Sequence, residues 1–243
     1  MLRYFIEVAY KGTRYSGFQS QHNATTIQSH VEDALQTVYK TTFQLTCSSR
    51  TDTGVHALQN FFHLDTEIEI NPKQVYNLNS VLPSDIVIKQ IFPVSPDMHA
   101  RFSAAHRQYK YYITRDRNPF LIETAWYYPY NLDIDALQQA AEILLTYSDF
   151  TTFSKKHTQV KTFICDIIIS KWYHENECLV YEVKANRFLR GMVRGLVGTM
   201  LKVGRGLISL DEFKQIIEAK DCTKANFNTP ANGLFLVKVT YPE

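Results

Sequence analysis

Apolar residues switch between two spacings along this chain, and the order of those switches constrains its fold more than any other feature. Leu2, Tyr4, Ile6, Val8 and Tyr10 alternate as a strand does, and Ile27, Val31, Ala34, Leu35 and Val38 then recur at helical spacing. Thr25 and Gln28 are expected to form a capping box where that helix starts. Phe43, Leu45 and Cys47 alternate again, as do Leu58, Phe62 and Leu64; Pro72 opens a short helix, and residues 86–92 read as a strand. The second half repeats the order. Tyr109, Tyr111 and Ile113 mark a strand, and Asp133 caps a helix carrying Leu137, Ala140, Ala141 and Leu144. Phe163, Cys165, Ile167 and Ile169 make the next strand, followed by Leu179, Tyr181 and Val183. A long helix is expected over 188–203, another behind a Ser209/Glu212 capping box, and a last strand over 234–241.

Each half therefore reads strand–helix–strand–strand–helix–strand, with one extra helix in the second, which is the split β-α-β pattern of ferredoxin-like units. The expected fold is α+β: two ferredoxin-like halves, residues 1–104 and 105–243, packed as one body with mixed or antiparallel sheet and a central cleft. No Pro-, Gly- or Ser-rich linker separates the halves, and they share no residue-level identity, so the repeat is architectural.

No run approaches the roughly 18 uninterrupted apolar residues of a membrane helix. The first seven residues alternate like a strand and lack the apolar core of a secretory leader, so a cytoplasmic protein is expected. Cys47, Cys165, Cys178 and Cys222 lie far apart with no C-x-x-C pair, which argues for reduced thiols and against zinc or a disulfide framework. A net charge of +2 does not by itself nominate a nucleic-acid binder. Its distribution says more. Arg101, His106, Arg107, Lys110, Arg115 and Arg117 crowd one stretch, Lys155, Lys156 and His157 a second, and Arg187, Arg190 and Arg194 a third, as on a protein with one cationic face.

The chemistry concentrates in Ser49-Arg50-Thr51-Asp52-Thr53-Gly54-Val55-His56-Ala57, between two expected strands. A carboxylate stands two residues from an arginine, beside a glycine that permits tight backbone geometry, with Gln59, Asn60 and His63 close behind. An ordinary turn with a surface Arg50–Asp52 pair is one reading. Asp52-Thr53-Gly54 also spells the tripeptide of an aspartic protease, but that chemistry needs two carboxylates sharing a proton and no second copy exists. A hydrolase using Asp52 with His56 or His63 fits the local chemistry alone.

A further reading accounts for the whole chain. Arg50-Thr51-Asp52-x-Gly54-Val55-His56-Ala57 resembles the motif around the nucleophilic aspartate of the tRNA pseudouridine synthase A (TruA) family. Tyr10 to Gln21, Thr26-Ile27-Gln28, His99 to Ala104, Arg107 to Tyr111, Asn186 to Arg194 and Pro230 to Leu234 are similar to that family's other motifs, in order and at fitting spacing. Two positions depart from it: the family has tryptophan where Phe18 stands, and glycine where Ser49 precedes the arginine.

The resemblance implies a tRNA-modifying isomerase. Breaking the N-glycosidic bond of uridine, turning the base over and joining C5 to the sugar involves no net redox change or energy input, so no cofactor or metal is expected; the chain carries no G-x-x-x-x-G-K-[ST] and no G-x-G-x-x-G. By resemblance Asp52 is the catalytic carboxylate and Arg194 its guanidinium partner, which favours the charged form that enclosure alone disfavours. Arg187, Arg190 and Arg194 are expected to share a helix face, and Gly191, Gly195 and Gly198, each costing about 1 kcal/mol of helix propensity, to line a strip where something packs closely. Tyr109 resembles the family's active-site tyrosine, which stacks on the target base and takes part in proton transfer at C5; such stacking returns roughly 1–3 kcal/mol. Leu234 resembles the apolar wall on the base's other side, and Arg50 the residue that helps extrude the nucleotide. Arg107 and Arg190 are expected to meet the substrate as well. The implied substrate is the 3′ side of the anticodon stem-loop of tRNA, the implied assembly a homodimer, and no membrane is involved. A non-catalytic RNA-binding module is the alternative from another class, since ferredoxin-like sheets commonly carry RNA. An acidic group on a surface that meets phosphate speaks against it.

Overall fold

The computed structural model describes residues 1–156 and 160–242, so His157 of the second basic cluster lies outside the described residues. In chain order the elements are β1 (Leu2–Tyr10), α1 (Ile27–Tyr39), β2 (Thr46–Cys47), β3 (His56–Thr66), α2 (Val75–Val81), β4 (Ile86–Val94), β5 (His106–Thr114), β6 (Trp126–Tyr127), α3 (Ile134–Ile143), β7 (Ile167–Glu175), β8 (Cys178–Ala185), α4 (Met192–Gly204), α5 (Leu210–Glu218) and β9 (Leu234–Thr240). The chain is α+β with a mixed sheet, as its periodicities predict. It divides into two compact units: Met1–Ala105 with Phe235–Glu243, and His106–Leu234.

In the first unit the strand order is β4-β1-β3-β9, with β2 also on β3. β1 runs antiparallel to β3 and β4, whereas β9 runs parallel to β3, pairing His56 with Phe235 and Ala57 with Leu236. Central strand β1 is buried on both faces from Tyr4 to Val8, which is why Phe5 interrupts its alternation. α1 buries Ile27, Val31, Ala34 and Leu35.

The expected Thr25/Gln28 box is corrected by one residue: Thr26 is the N-cap and Ser29 its reciprocal partner. Gln28 instead turns inward, donating to Leu45 O (3.0 Å) and Glu32 Oε1 (2.8 Å) and accepting from Ser20 N–H (3.1 Å). Two adjacent threonines offer the same hydroxyl, and the register of the apolar face decides between them. The alternation of Phe43, Leu45 and Cys47 yields only the two-residue β2, although all three side chains are buried.

In the second unit β8 lies between β5 and β7, antiparallel to both, and β6 adds parallel to β5. α3 packs on α4, α5 and β7. Asp133 caps α3 through Ala136 N–H, and the Ser209/Glu212 box caps α5, as predicted. Phe163 and Cys165 precede β7 and do not form part of it.

The helix expected over 188–203 starts later, at Met192. Gly191 is its N-cap at φ +74°, a left-handed conformation that ends any helix arriving from Phe188. Arg187 and Arg190 therefore lie outside α4, and the shared helix face predicted for Arg187, Arg190 and Arg194 does not exist. The glycine strip has the packing partner its cost demands. A Cβ on Gly195 would stand 2.8 Å from the Phe227 ring, and one on Gly198 2.3 Å from Asn226 O, so the chain at 226–229 lies directly against α4.

Candidate active site

The loop that carries Asp52 joins β2 to β3, and almost every group around the aspartate is tied down. Ser48 N–H donates to Phe61 O (2.8 Å), and Asn60 Nδ2 donates to Ser49 O (2.9 Å) and to the Tyr10 hydroxyl (3.2 Å). That hydroxyl shares a 2.7 Å bond with Thr51 Oγ1, while Thr51 O accepts from Phe18 N–H at 3.2 Å. Beyond Asp52 the chain turns tightly: Val55 N–H donates to Asp52 O (3.1 Å), with Gly54 at φ +78°. Asp52 itself is half-buried, and its carboxylate accepts no hydrogen bond and makes no ion pair among the described residues of this unit. The Asp52 side chain is thus left without a bond in a loop whose backbone is held on both sides, at Ser49 and Thr51 before it and at Val55 after it.

Arg50 is exposed and does not pair with Asp52; its guanidinium instead opposes the rise that burial imposes on the Cys47 thiol. The surface pair of the turn reading is absent. His56 is 1% exposed, its Nδ1 accepts from Gly12 N–H (3.0 Å), and its ring stacks on Phe235 at 4.5 Å. His63 is also buried, with Nδ1 accepting from Ala100 N–H at 3.2 Å. Both imidazoles hold backbone, so the hydrolase reading loses its bases.

Phe18 occupies its place without an N–H donor because nothing there calls for one. It is fully buried, stacked on Phe62 at 4.4 Å and 10° and on Tyr10 at 5.3 Å and 25°. Ser49 is likewise accommodated, buried and bonded through its carbonyl. Sequence reasoning did not single out Gly12 as a positioning residue, although it stands in the quoted Tyr10–Gln21 motif. Thr51, Tyr10 and Asn60 form a buried relay; each stands in or beside a segment named above, but nothing in the sequence joins the three.

Burial pushes His63 down to about 4, and the neighbouring His99 and Arg3 act in the same direction against Asp65. The unfolded imidazole takes up its proton near pH 6.5, whereas the folded one resists protonation until about 4. His63 therefore contributes stability above pH 6.5 that is lost as pH falls toward 4. Urea denaturation midpoints should drop across that window, and His63→Asn should flatten the drop while lowering stability at pH 7. A midpoint that stays level for the wild-type protein would contradict this.

In the second unit, Arg107 and Tyr109 project from one face of β5. Arg107 donates to Asn186 O (3.1 Å), and the buried Tyr109 ring meets Phe188 edge-on at 4.9 Å and 81°. Arg194, in the first turn of α4, is clamped at both ends. Its Nε donates to Thr229 O (2.6 Å), and Thr229 Oγ1 donates to Arg194 O (2.9 Å). Neither terminal nitrogen of its guanidinium is used by these bonds. Arg190 is exposed, and its carbonyl accepts from Lys155 N–H at 3.0 Å. Leu234 is buried, its N–H donating to Ala231 O (2.9 Å), and Gly233 lies so close to Tyr111 and Tyr112 that a Cβ would stand 2.7 Å from Tyr112 O.

A model of the family described as tRNA pseudouridine synthase matches residues 6–103 and 140–242. The tRNA pseudouridine synthase A of Parabacteroides distasonis is 45% identical over 245 residues, covering 100% of this chain and 97% of that protein. That of Bacteroides fragilis is also 45% identical, covering 99% and 97%, and that of Staphylococcus aureus 34%, covering 100% and 92%. The chain belongs to the tRNA pseudouridine synthase family. It is an enzyme of the isomerase class whose reaction turns uridine in tRNA into pseudouridine.

Proposed function

We propose that the chain modifies uridine on the 3′ side of the anticodon stem-loop of tRNA, with Asp52 as the nucleophilic carboxylate. The observation that carries this reading is the Asp52 loop itself, a carboxylate without a partner among the described residues of its own unit, on a backbone fixed by the Asn60–Tyr10–Thr51 relay. Asp52 initiates cleavage of the N1–C1′ bond; the base then turns over, C5 bonds to C1′, and the proton at C5 leaves while N1 gains one. Tyr109 supplies the flat face for the everted base and assists the proton transfer, and Leu234 supplies an apolar wall. Arg194 supplies the guanidinium that favours the charged carboxylate, in an orientation that its Nε bond to Thr229 helps to set. Arg50 grips the place vacated by the nucleotide, and Arg107 and Arg190 contact the tRNA. The enzyme acts as a homodimer in the cytoplasm, where its substrate resides.

Incubation with unmodified tRNA transcripts, followed by carbodiimide mapping, should reveal pseudouridine on the 3′ side of the anticodon arm. Arg194→Ala should slow its formation by roughly 100-fold or more. Arg194→Lys should recover only part, because an ammonium cannot both keep a bond to Thr229 O and present a planar fork. Reaction confined to other arms would refute the substrate assignment, and an unchanged rate for Arg194→Ala would refute that residue's role.

A further inference from the structure

Residues 98–104 form a loop in which the backbone N–H groups of 98–103 are all bonded, yet it carries a large apolar ring into solvent. His99 Nδ1 accepts from both Arg101 N–H (3.1 Å) and Phe102 N–H (3.3 Å). Ser103 closes the loop, its N–H donating to His99 O (2.9 Å) and its hydroxyl oxygen accepting from His99 N–H (2.9 Å). Underneath, Ala100 is fully buried, its N–H bonded to His63 Nδ1 and its carbonyl to the Tyr241 hydroxyl (2.7 Å), and Met98 O accepts from Arg3 at 3.1 Å. Held at this tip, Phe102 remains 75% exposed, with the Arg101 guanidinium 5.5 Å from its ring centroid.

The ring also ends a ladder that rises from the core. Phe5, 2% exposed, lies 6.4 Å from His63, His63 lies 4.6 Å from His99, and His99 lies 4.4 Å from Phe102. What sets Phe102 apart is that its exposed ring is held by an ordered loop beside a guanidinium. A fixed aromatic face beside a guanidinium is what an unstacked nucleobase with its phosphate requires: the ring offers a sequence-tolerant stacking surface and the arginine offers charge. Because the loop is already ordered, little conformational freedom remains to be lost on binding.

The same unit carries both this tip and the Asp52 loop, which are linked through β3. His63 sits on β3 opposite Thr46, one residue before Cys47, and the chain enters the Asp52 loop directly afterwards. Cys47 feels charge from both loops. Burial pushes its thiol up, and the charges of Arg50 and then Arg101 pull it back.

We propose that Arg101 and Phe102 form a second base-stacking subsite, which takes an RNA nucleotide near the target uridine and holds it while the target is everted toward Asp52. This rests on the tRNA reading above and deepens it. Phe102 stacks on the neighbouring base, and Arg101 meets its phosphate.

The test uses full-length protein and a tRNA transcript carrying 2-aminopurine, in turn, at each nucleotide flanking the modified uridines. Binding is read by fluorescence in the Asp52→Asn background, and turnover with Asp52 intact. Wild-type sequence at 102 should quench at least one flanking probe. Phe102→Ala should lose that quench and weaken tRNA binding by roughly 5- to 100-fold, with the loss falling mainly on KM. Phe102→Trp should restore both, which a merely structural role would not predict, and Arg101→Gln should weaken binding and flatten its salt dependence. If Phe102→Ala binds and quenches as the parent does, the subsite is overturned. If the parent with Asp52 forms no pseudouridine at all, it is the tRNA reading that fails.

Discussion

Asp52→Asn should yield a folded protein that still binds tRNA and forms pseudouridine at least roughly 10⁴-fold more slowly. Asparagine matches aspartate in shape and size, and the neighbouring residues are held through bonds that do not involve the side chain: Thr51 by Tyr10 and Phe18, Asp52 through its carbonyl to Val55 N–H. Among the described residues of the first unit no hydrogen bond ends on the carboxylate, so its neutralisation leaves the loop intact. What disappears is the negative oxygen on which the reaction depends. Single-turnover assays with saturating enzyme separate the chemical step from binding, and the melting temperature should remain within about 2 °C of the parent. Residual turnover within tenfold of the parent would refute the assignment of Asp52.

Gly12→Ala should be the most damaging substitution outside the residues that meet substrate. A Cβ at this position would stand 2.0 Å from Val55 O and 2.7 Å from Val55 C. Both are backbone atoms, so no side chain can move aside. The φ at Gly12 is not in the left-handed region, which makes the obstacle purely one of space. Relief requires the Gly54–His56 turn to move, and that breaks the Gly12 N–H bond to His56 Nδ1 and shifts the Asp52 loop. Overpacking of this kind costs about 1–3 kcal/mol or more. Displacement of a positioned carboxylate by about 1 Å costs on the order of 100-fold in rate. Urea denaturation and the single-turnover rate should therefore both fall, the rate by more than the loss of folded protein accounts for. A rate that simply tracked the folded fraction would show that the loop tolerates the displacement.

The alternation of β1, the helical spacing of α1 and α3 and the Ser209/Glu212 cap were legible in the sequence because each is a local pattern whose energetics operate within one turn or one strand. Legibility ended where a distant residue made the choice. Thr25 and Thr26 present equal capping hydroxyls, and the choice of Thr26 depends on Gln28 turning inward to Glu32 and Leu45 O. Helical spacing across Arg187, Arg190 and Arg194 gave no sign that Gly191 would adopt φ +74°. Of the site, the Arg50–Ala57 segment stood out by its polar density between strands. Tyr109 is one of 15 tyrosines and was singled out by resemblance alone. The exposure of Phe102 could not be read at all: an aromatic residue between Arg101 and Ser103 looks the same in sequence whether it faces the core or the solvent.

The return of β9 to the first unit has a consequence for biogenesis. The strand that pairs with β3 at His56 and Ala57, immediately after the Asp52 loop, is separated from it by the whole of the second unit. During synthesis the ribosome delivers β1 to β4 early, but their sheet keeps an open edge at β3 until the last strand has emerged. The unit bearing Asp52 therefore completes that edge only after the whole of the second unit has been translated.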